Sequence, residues 1–139
     1  MNNYTFDELI VGQKESFSVT ITEKMRDSFR EITGDVNPLH NDINYAKSKG
    51  HDKCVAFGML TASFLSTLAG VYLPGEKSLI HKTEVNFRKP VYVGDTITVT
   101  GEITEKNETF NLIDVKIIIT NQDNVKVVKG SMQIGVEED

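Results

Sequence analysis

A carboxylate and an imidazole stand five residues apart in the first third of the chain, as Asp35 and His40. Side chains of these two types can hold one water molecule and move protons to and from a substrate. Imidazole suits that task near neutral pH because its reference pKa is about 6.5. Taken singly, each residue has a simpler interpretation, Asp35 as a turn former after Gly34 and His40 as a structural histidine. Their occurrence in one short segment favours acid–base chemistry.

Asn37 and Pro38 separate this pair and restrict the backbone between its members. Pro38 lacks an N–H and keeps Asn37 out of the helical region, so the segment is predicted not to be regular helix. The Asn37 side chain can accept a hydrogen bond from its own backbone in an Asx-turn. We therefore expect a fixed segment that holds the carboxylate and the imidazole in place.

A second stretch, the uncharged residues 55–75, predicts a long buried helix with Gly58 near its start. The first N–H groups of a helix lack intrahelical acceptors, so they stabilise negative charge on a nearby carbonyl oxygen. Glycine also lets that carbonyl approach closely. The simpler alternative is that Gly58 only lets the helix and a sheet come together. A membrane span is disfavoured because glycine, serine and threonine residues dilute the run and alternating strands follow.

Hydrophobic periodicity predicts the helices that position these stretches. A first helix should begin after the N-cap Thr22, place Met25, Phe29 and Ile32 on one face and end at Gly34. Asp42 should cap a short second helix over residues 43–49. The long third helix is predicted over residues 57–72.

Alternating apolar residues predict five strands around these helices. The strands are expected over residues 15–21, 79–87, 97–103, 113–119 and 128–136, with polar turns at 94–95, 105–108 and 122–124. Short strands joined by tight turns indicate an antiparallel sheet, and a single apolar helix must bury itself against the apolar face of that sheet.

Composition limits the class of protein. The chain has 139 residues, of which 25% are charged and 39% hydrophobic, and this suits one domain over residues 1–139. The net charge of −5 disfavours a general nucleic-acid binder. Cys54 is the only cysteine, so no intramolecular disulfide forms and a reducing compartment is expected. Residues 1–10 do not resemble a signal peptide, which favours the cytoplasm, and the acidic residues 137–139 are expected to be frayed.

Several motifs together carry a family resemblance. They are Gly34-Asp35-x-Asn37-Pro38-x-His40, then Gly58-Met59, then Phe87-Arg88-Lys89-Pro90-Val91, and then Gly94-Asp95-Thr96. In this order, over nearly the whole chain, they resemble the MaoC-like, R-specific enoyl-CoA hydratases. The resemblance implies an α+β hot-dog fold, in which a curved antiparallel sheet wraps around one long central helix. It also implies a homodimer, with two sheets joined edge to edge and acyl pockets near the interface.

The activity implied by the resemblance is reversible syn addition of water to a trans-2-enoyl thioester, giving an R-3-hydroxyacyl thioester. Asp35 would act mainly as the base, His40 would orient the water and share proton transfer, and the Gly58 N–H would stabilise the thioester oxygen. Ser66, eight residues after Gly58, matches a serine that forms hydrogen bonds within the site, or it is a small residue that eases helix packing.

One position departs from the family pattern. The family commonly has histidine before Gly-Met, where this chain has Phe57. A phenylalanine there would shorten or dry the pocket beside the thioester and favour short acyl groups.

The substrate carrier implied by the resemblance is coenzyme A or acyl carrier protein, with no bound cofactor and no metal. The basic pair Arg88-Lys89 could meet the phosphates of such a carrier, as could a second cluster, Lys47, Lys49 and Lys53. The simpler interpretation of both clusters is a solvated charged surface.

Two other functions remain open at this level. Hot-dog folds also serve acyl-thioester hydrolases, and a third possibility is a non-catalytic acyl-binding module. The sequence Asn37-Pro38-Leu39-His40 favours the hydratase over the hydrolase. The intact pair of Asp35 and His40 argues against a module without catalysis.

Overall fold

The computed structural model describes residues 1–138, and within them one antiparallel sheet has five strands in the order β1-β3-β4-β5-β2. The strands are β1 (Lys14–Thr20), β2 (Ser78–Phe87), β3 (Thr96–Asn107), β4 (Leu112–Thr120) and β5 (Lys126–Val136). Tight turns join β3, β4 and β5 in succession, and β2 lies at the edge beside β5. Register shifts interrupt three of the four pairings, and such bulges bend strands, so the sheet curves.

Four α-helices connect and fill this sheet in the described part of the chain. They are α1 (Glu23–Thr33), α2 (Pro38–Asn41), α3 (Ile43–Ser48) and α4 (Gly58–Thr67). A π-helical turn, Leu68–Tyr72, continues α4, so the long helix predicted over residues 57–72 is confirmed. No helix within residues 1–138 is long and apolar enough to span a membrane.

The core lies between α4 and the apolar face of the sheet. Alternate residues of β3 and β4 are buried there, and Leu60, Leu65 and Leu68 face them from the helix. A Cβ placed on Gly101 of β3 would lie 2.8 Å from Leu68 Cδ2, so glycine is what lets the helix come this close. This packing fixes the axis of α4, and with it the position of Gly58 at its first residue.

The predicted turn over residues 105–108 is wrong. Strand β3 continues to Asn107 through a bulge between Ile103 and Glu105, and the turn follows over residues 108–111. The Asn107 side chain holds that turn by accepting the N–H groups of Thr109 and Phe110 at 3.0 and 3.2 Å. The polar residues before it pair with β4 through their backbones while Glu105 is exposed and the Lys106 ammonium donates to the carbonyls of Phe6 and Leu9, so polarity alone gave the wrong boundary.

The helical predictions before α4 need two corrections. Pro38–Asn41 forms one helical turn, which the sequence was expected to exclude, because Pro38 occupies the first helical position, where its missing N–H costs nothing. Asn37 stays outside the helical region as predicted. On α1, Met25 and Phe29 pack against the core but Ile32 is 82% exposed, so the apolar face ends one turn early.

The acidic end of the chain is held rather than frayed as far as the structure describes it. The Glu138 carboxylate accepts the Phe6 N–H at 2.7 Å, and the Glu137 N–H donates to the Lys77 carbonyl at 2.8 Å. The last residue of the predicted tail, Asp139, lies outside the described residues.

Candidate active site

The Asp35 carboxylate is set by the way α1 ends. Gly34 takes a left-handed conformation with φ of 73°, and its N–H donates to the Arg30 carbonyl at 2.7 Å, as in a helix C-cap. One oxygen of Asp35 then accepts the Asn37 N–H at 3.0 Å, which closes an Asx-turn. Asp35 is exposed, and its second oxygen has no protein partner among residues 1–138. That oxygen is therefore available to a substrate or a water molecule.

The His40 imidazole has a fixed orientation. Its Nδ1 lies 2.7 Å from the Val55 carbonyl oxygen, and because a carbonyl only accepts, Nδ1 carries the proton. The Val55 N–H in turn donates to the Leu39 carbonyl at 3.2 Å, so this link is reciprocal. In the neutral imidazole the second nitrogen, Nε2, is then the acceptor.

Side-chain hydrogen bonds brace the whole segment against α1. Asn37 caps α2 by accepting the Leu39 N–H at 3.0 Å, and its carbonyl accepts Nδ2 of Asn41 at 2.8 Å. Arg30 on α1 donates to Oδ1 of Asn41 at 2.6 Å. The sequence Asn-Pro-x-His-Asn thus builds a short helical turn whose orientation is fixed from both sides.

Gly58 begins α4 beside the ring of Phe87. Phe57 before it is extended, with ψ of 123°, so the helix starts abruptly at Gly58. The Gly58 N–H has no intrahelical acceptor, and none of the backbone or side-chain acceptors in the described chain takes it. A Cβ on Gly58 would lie 3.2 Å from Cε1 of Phe87. An aromatic ring therefore packs directly against this first residue of α4.

Asp35, His40 and Gly58 all line one cavity of about 970 Å³, which we call the large cavity. Its lining is mostly apolar, and the remaining residues come from α1, α4 and β2: Phe29, Thr33, Phe57, Met59, Ala62, Ser63, Thr83, Val85 and Phe87. The predicted acid–base pair and the predicted oxyanion donor are thus brought together. The cavity has the apolar walls and few polar groups that are typical of a small-molecule site.

A second cavity of about 250 Å³, the small cavity, meets the first at His40, Gly58 and Phe87. Its other lining residues come from α4, from the chain before α4, from β5 and from the segment after β2: Val55, Ala56, Thr61, Arg88, Lys89, Pro90, Val91 and Val128. Arg88 and Lys89 are exposed, and both donate their backbone N–H to the Val127 carbonyl. The basic pair lies at this cavity, whereas Lys47, Lys49 and Lys53 line neither cavity.

Two lining residues escaped the sequence analysis. Thr61 is 1% exposed and lines the small cavity, and its hydroxyl has no hydrogen-bond partner within residues 1–138. Ser63 lines the large cavity and donates to the Leu60 carbonyl at 2.6 Å. Ser66 lies on the same helix face as Gly58, but about 12 Å along the axis at 1.5 Å per residue. It lines neither cavity.

Phe57 forms the wall behind the imidazole. Its side chain is 2% exposed, and its ring centroid lies 4.3 Å from that of His40 and 4.9 Å from that of Phe29. An apolar ring therefore stands where a histidine would offer a polar group. It excludes water from one side of His40 and, with the Val55 carbonyl, holds the imidazole plane.

Comparison with known proteins agrees with this geometry. The family model of the MaoC like domain matches residues 9–125. An (R)-specific enoyl-CoA hydratase from Rhodospirillum rubrum is 32% identical over 130 residues, covering 88% of this chain and 90% of that protein. An (R)-specific enoyl-CoA hydratase from Aeromonas caviae is 33% identical over 122 residues, covering 88% of this chain and 91% of that protein.

A solved structure extends the similarity to the fold. The unliganded R-hydratase PhaJ1 from Pseudomonas aeruginosa superposes with a TM-score of 0.93 at 31% sequence identity, covering 99% of this chain and 88% of that one. The predicted hot-dog fold, a curved sheet around one central helix, is confirmed. Three of the four family motifs contribute residues to the two cavities, Gly94-Asp95-Thr96 lines neither, and the family model spans most of the chain. The chain therefore belongs to the MaoC-like domain family.

Proposed function

We propose that this chain is an R-specific enoyl thioester hydratase, a hydro-lyase that adds water reversibly to trans-2-enoyl-CoA. One observation carries the proposal: a free carboxylate oxygen of Asp35, Nε2 of His40 and the unpaired N–H of Gly58 belong to residues that line one cavity. These groups are the acceptors and the donor that the reaction needs. The similarity to (R)-specific enoyl-CoA hydratases supports it.

The two acceptors suit a single water molecule. A water has two O–H bonds, and donating one to Asp35 and the other to His40 leaves its lone pair free to attack carbon. The Asx-turn and the Val55 carbonyl fix both acceptors before substrate arrives, so little reorganisation is needed. The hydrogen bond from Nδ1 to the Val55 carbonyl leaves Nε2 as the nitrogen that meets the water.

The proton and electron balance of the step follows from these positions. The water oxygen bonds to C3 while Asp35 takes a proton from the water, and the electron pair of the C2–C3 double bond moves towards the thioester oxygen. The Gly58 N–H, at the positive end of α4, stabilises that charge. A proton is then delivered to C2 by the same pair, so the net change is addition of one water.

The carrier end of the substrate is proposed to lie at the small cavity. Arg88 and Lys89 supply positive charge there, and a guanidinium and an ammonium both bind phosphate. Coenzyme A and acyl carrier protein present the same phosphate-linked arm. We propose coenzyme A as the carrier, and lower turnover of crotonyl-acyl carrier protein than of crotonyl-CoA would support this choice.

We also propose that the protein is a cytoplasmic homodimer. Strand β2 pairs only with β5 in the described chain, so its other edge is open. Ile80 and Phe87, which pair with the core residues Ile134 and Val128, are 39% and 51% exposed, and Leu79 on the opposite face is 49% exposed; an unprotected edge strand rarely carries such large apolar side chains. Analytical ultracentrifugation should give twice the chain mass of 15.5 kDa. The free, buried Cys54 is compatible with a reducing compartment.

Hydration of crotonyl-CoA tests the function, followed by loss of enone absorbance, with the R configuration of the product determined by chiral chromatography. Asp35→Asn and His40→Ala should each lower kcat by about 10²–10⁴-fold, the range for loss of a positioned acid or base. Asp52→Asn is the matched control, because this exposed carboxylate lies in a separate cleft and should leave kcat unchanged.

Free thiol measured in the same reaction separates the alternatives. Hydrolysis of the thioester also removes the absorbance of the conjugated enone, so absorbance loss matched by an equal release of thiol would identify a thioester hydrolase, and absorbance loss without thiol supports the hydratase. Binding of crotonyl-CoA with neither signal would identify a non-catalytic module. Normal hydration by either Asp35→Asn or His40→Ala would contradict the assigned mechanism.

A further inference from the structure

Phe87 stands where the two cavities meet. It is the last residue of β2, its side chain is 51% exposed, and it lines both cavities, as do only His40 and Gly58 among the described residues. The three atoms nearest to a Cβ on Gly58 all belong to the Phe87 ring, at 3.2 to 3.5 Å. The ring therefore packs against Gly58, the residue whose N–H is expected to bind the thioester oxygen.

The two cavities take opposite halves of the substrate, an inference that depends on the proposed hydratase function. Asp35 lines only the large cavity, and the carbon that water attacks, C3, must face Asp35. C3 lies on the acyl side of the carbonyl carbon, so the acyl group extends into the large, apolar cavity. The sulfur and the carrier then extend into the small cavity, where Arg88 and Lys89 lie.

This orientation places C2 at the junction of the cavities. With the thioester oxygen at the Gly58 N–H and C3 at Asp35, the intervening C2 lies beside the contact between Gly58 and the Phe87 ring. A Cβ on Gly58 would already lie 3.2 Å from that ring, so the ring bounds the space next to C2 closely. A hydrogen on C2 needs little room, whereas a methyl group there needs more.

We propose that Phe87 is a specificity-determining residue, whose ring selects enoyl thioesters that are unbranched at C2 over those that carry a 2-methyl group. One methylene in a closely filled site changes kcat/KM by about 10–200-fold. A branch farther along the acyl group meets the large cavity instead, where Val85 and Met59 form the wall, so Phe87 does not select against it.

Two substrates that differ by one methyl group test this inference: crotonyl-CoA and its 2-methyl derivative, tiglyl-CoA. The wild-type protein should prefer crotonyl-CoA in kcat/KM by at least about tenfold. Phe87→Ala should reduce that preference by about tenfold or more, and Phe87→Leu should reduce it by a smaller factor. If Phe87→Ala does not fold, as judged by circular dichroism, the Phe87→Leu ratio decides.

Leu79→Ala is the matched control. Leu79 lies on the same strand with nearly the same exposure, 49% against 51%, but lines neither cavity, so its removal should leave the substrate ratio within about twofold. Val85→Ala widens the large cavity away from the junction and should also leave the ratio unchanged.

The outcomes that overturn the inference differ from those that overturn the function. A wild-type ratio near one, an unchanged ratio in the Phe87 variants, or an equal change in Val85→Ala would each overturn the role of Phe87. Failure of the folded wild-type protein to hydrate crotonyl-CoA would overturn the proposed function itself.

Discussion

Replacing Gly58 by alanine should separate stability from activity. Gly58 is the first residue of α4, and its φ is not positive. Alanine can therefore adopt the same backbone conformation. A Cβ there would lie 3.2 Å from Cε1 of Phe87, tighter than an ordinary contact, so the ring must move by a few tenths of an ångström. The substitution therefore fills the space beside the amide without removing the N–H.

The two terms in stability nearly cancel. Alanine is better than glycine in a helix by up to about 1 kcal/mol. Moving a half-exposed ring off its preferred rotamer costs about 0.5–1.5 kcal/mol. We therefore expect the free energy of unfolding of Gly58→Ala to stay within about 1 kcal/mol of the wild type. Turnover should fall about 100-fold, because the methyl group displaces the thioester carbonyl by about 1 Å from the donor.

Urea unfolding followed by circular dichroism measures the first quantity, and crotonyl-CoA hydration measures the second. Gly70→Ala is the control, since a Cβ there makes only an ordinary contact, 3.8 Å from Ser78 Oγ, and Gly70 lines neither cavity. Unaltered turnover in Gly58→Ala would refute the reasoning. A loss of stability above about 3 kcal/mol would also refute it, because the steric term would then have been badly underestimated.

Three further predictions concern the Phe57 ring beside His40, the core residue Leu68 and the basic pair Arg88-Lys89. Phe57→Leu should lower kcat for crotonyl-CoA about tenfold with a smaller change in KM, because His40 loses its ring contact but keeps the Val55 bond. Leu68→Ala should lower the free energy of unfolding by about 2–5 kcal/mol in urea, since Leu68 is 0% exposed. Raising salt from about 0.05 to 0.5 M should raise KM for crotonyl-CoA through screening. A variant with Arg88→Gln and Lys89→Gln should lose that dependence, and an equal dependence would contradict the phosphate assignment.

Local hydrogen bonding explains which parts of the fold were predictable. The Thr22 side chain accepts the Met25 N–H, the Asp42 side chain accepts two N–H groups of α3, and Gly34 takes the left-handed conformation that ends α1. These ends depend on residues within a few positions of each other, so residue type alone predicts them. Strand alternation likewise needed only the period of two.

Features that depend on distant residues were missed. The length of β3 is set by its register with β4, which keeps the polar residues 105–107 in the sheet. Thr83 and Val85 on β2 bound the large cavity where it runs along α4. The sequence of the helix predicts the face on which Ser66 lies, but not that the cavity ends before it reaches Ser66. The contact of Phe57 with His40 joins two segments that only the fold brings together.

The reciprocal bonds between Val55 and the α2 turn have a consequence for how this protein can be altered. The Val55 N–H donates to the Leu39 carbonyl and the Val55 carbonyl accepts from His40, so the chain leaves the α2 turn and is hydrogen-bonded to it again at Val55. Between the α2 turn and Val55, residues 49, 50, 52 and 53 are exposed, and they take no part in these hydrogen bonds. An insertion of extra residues or of an epitope at these positions should therefore leave the His40 imidazole and the Gly58 N–H in the same relative positions.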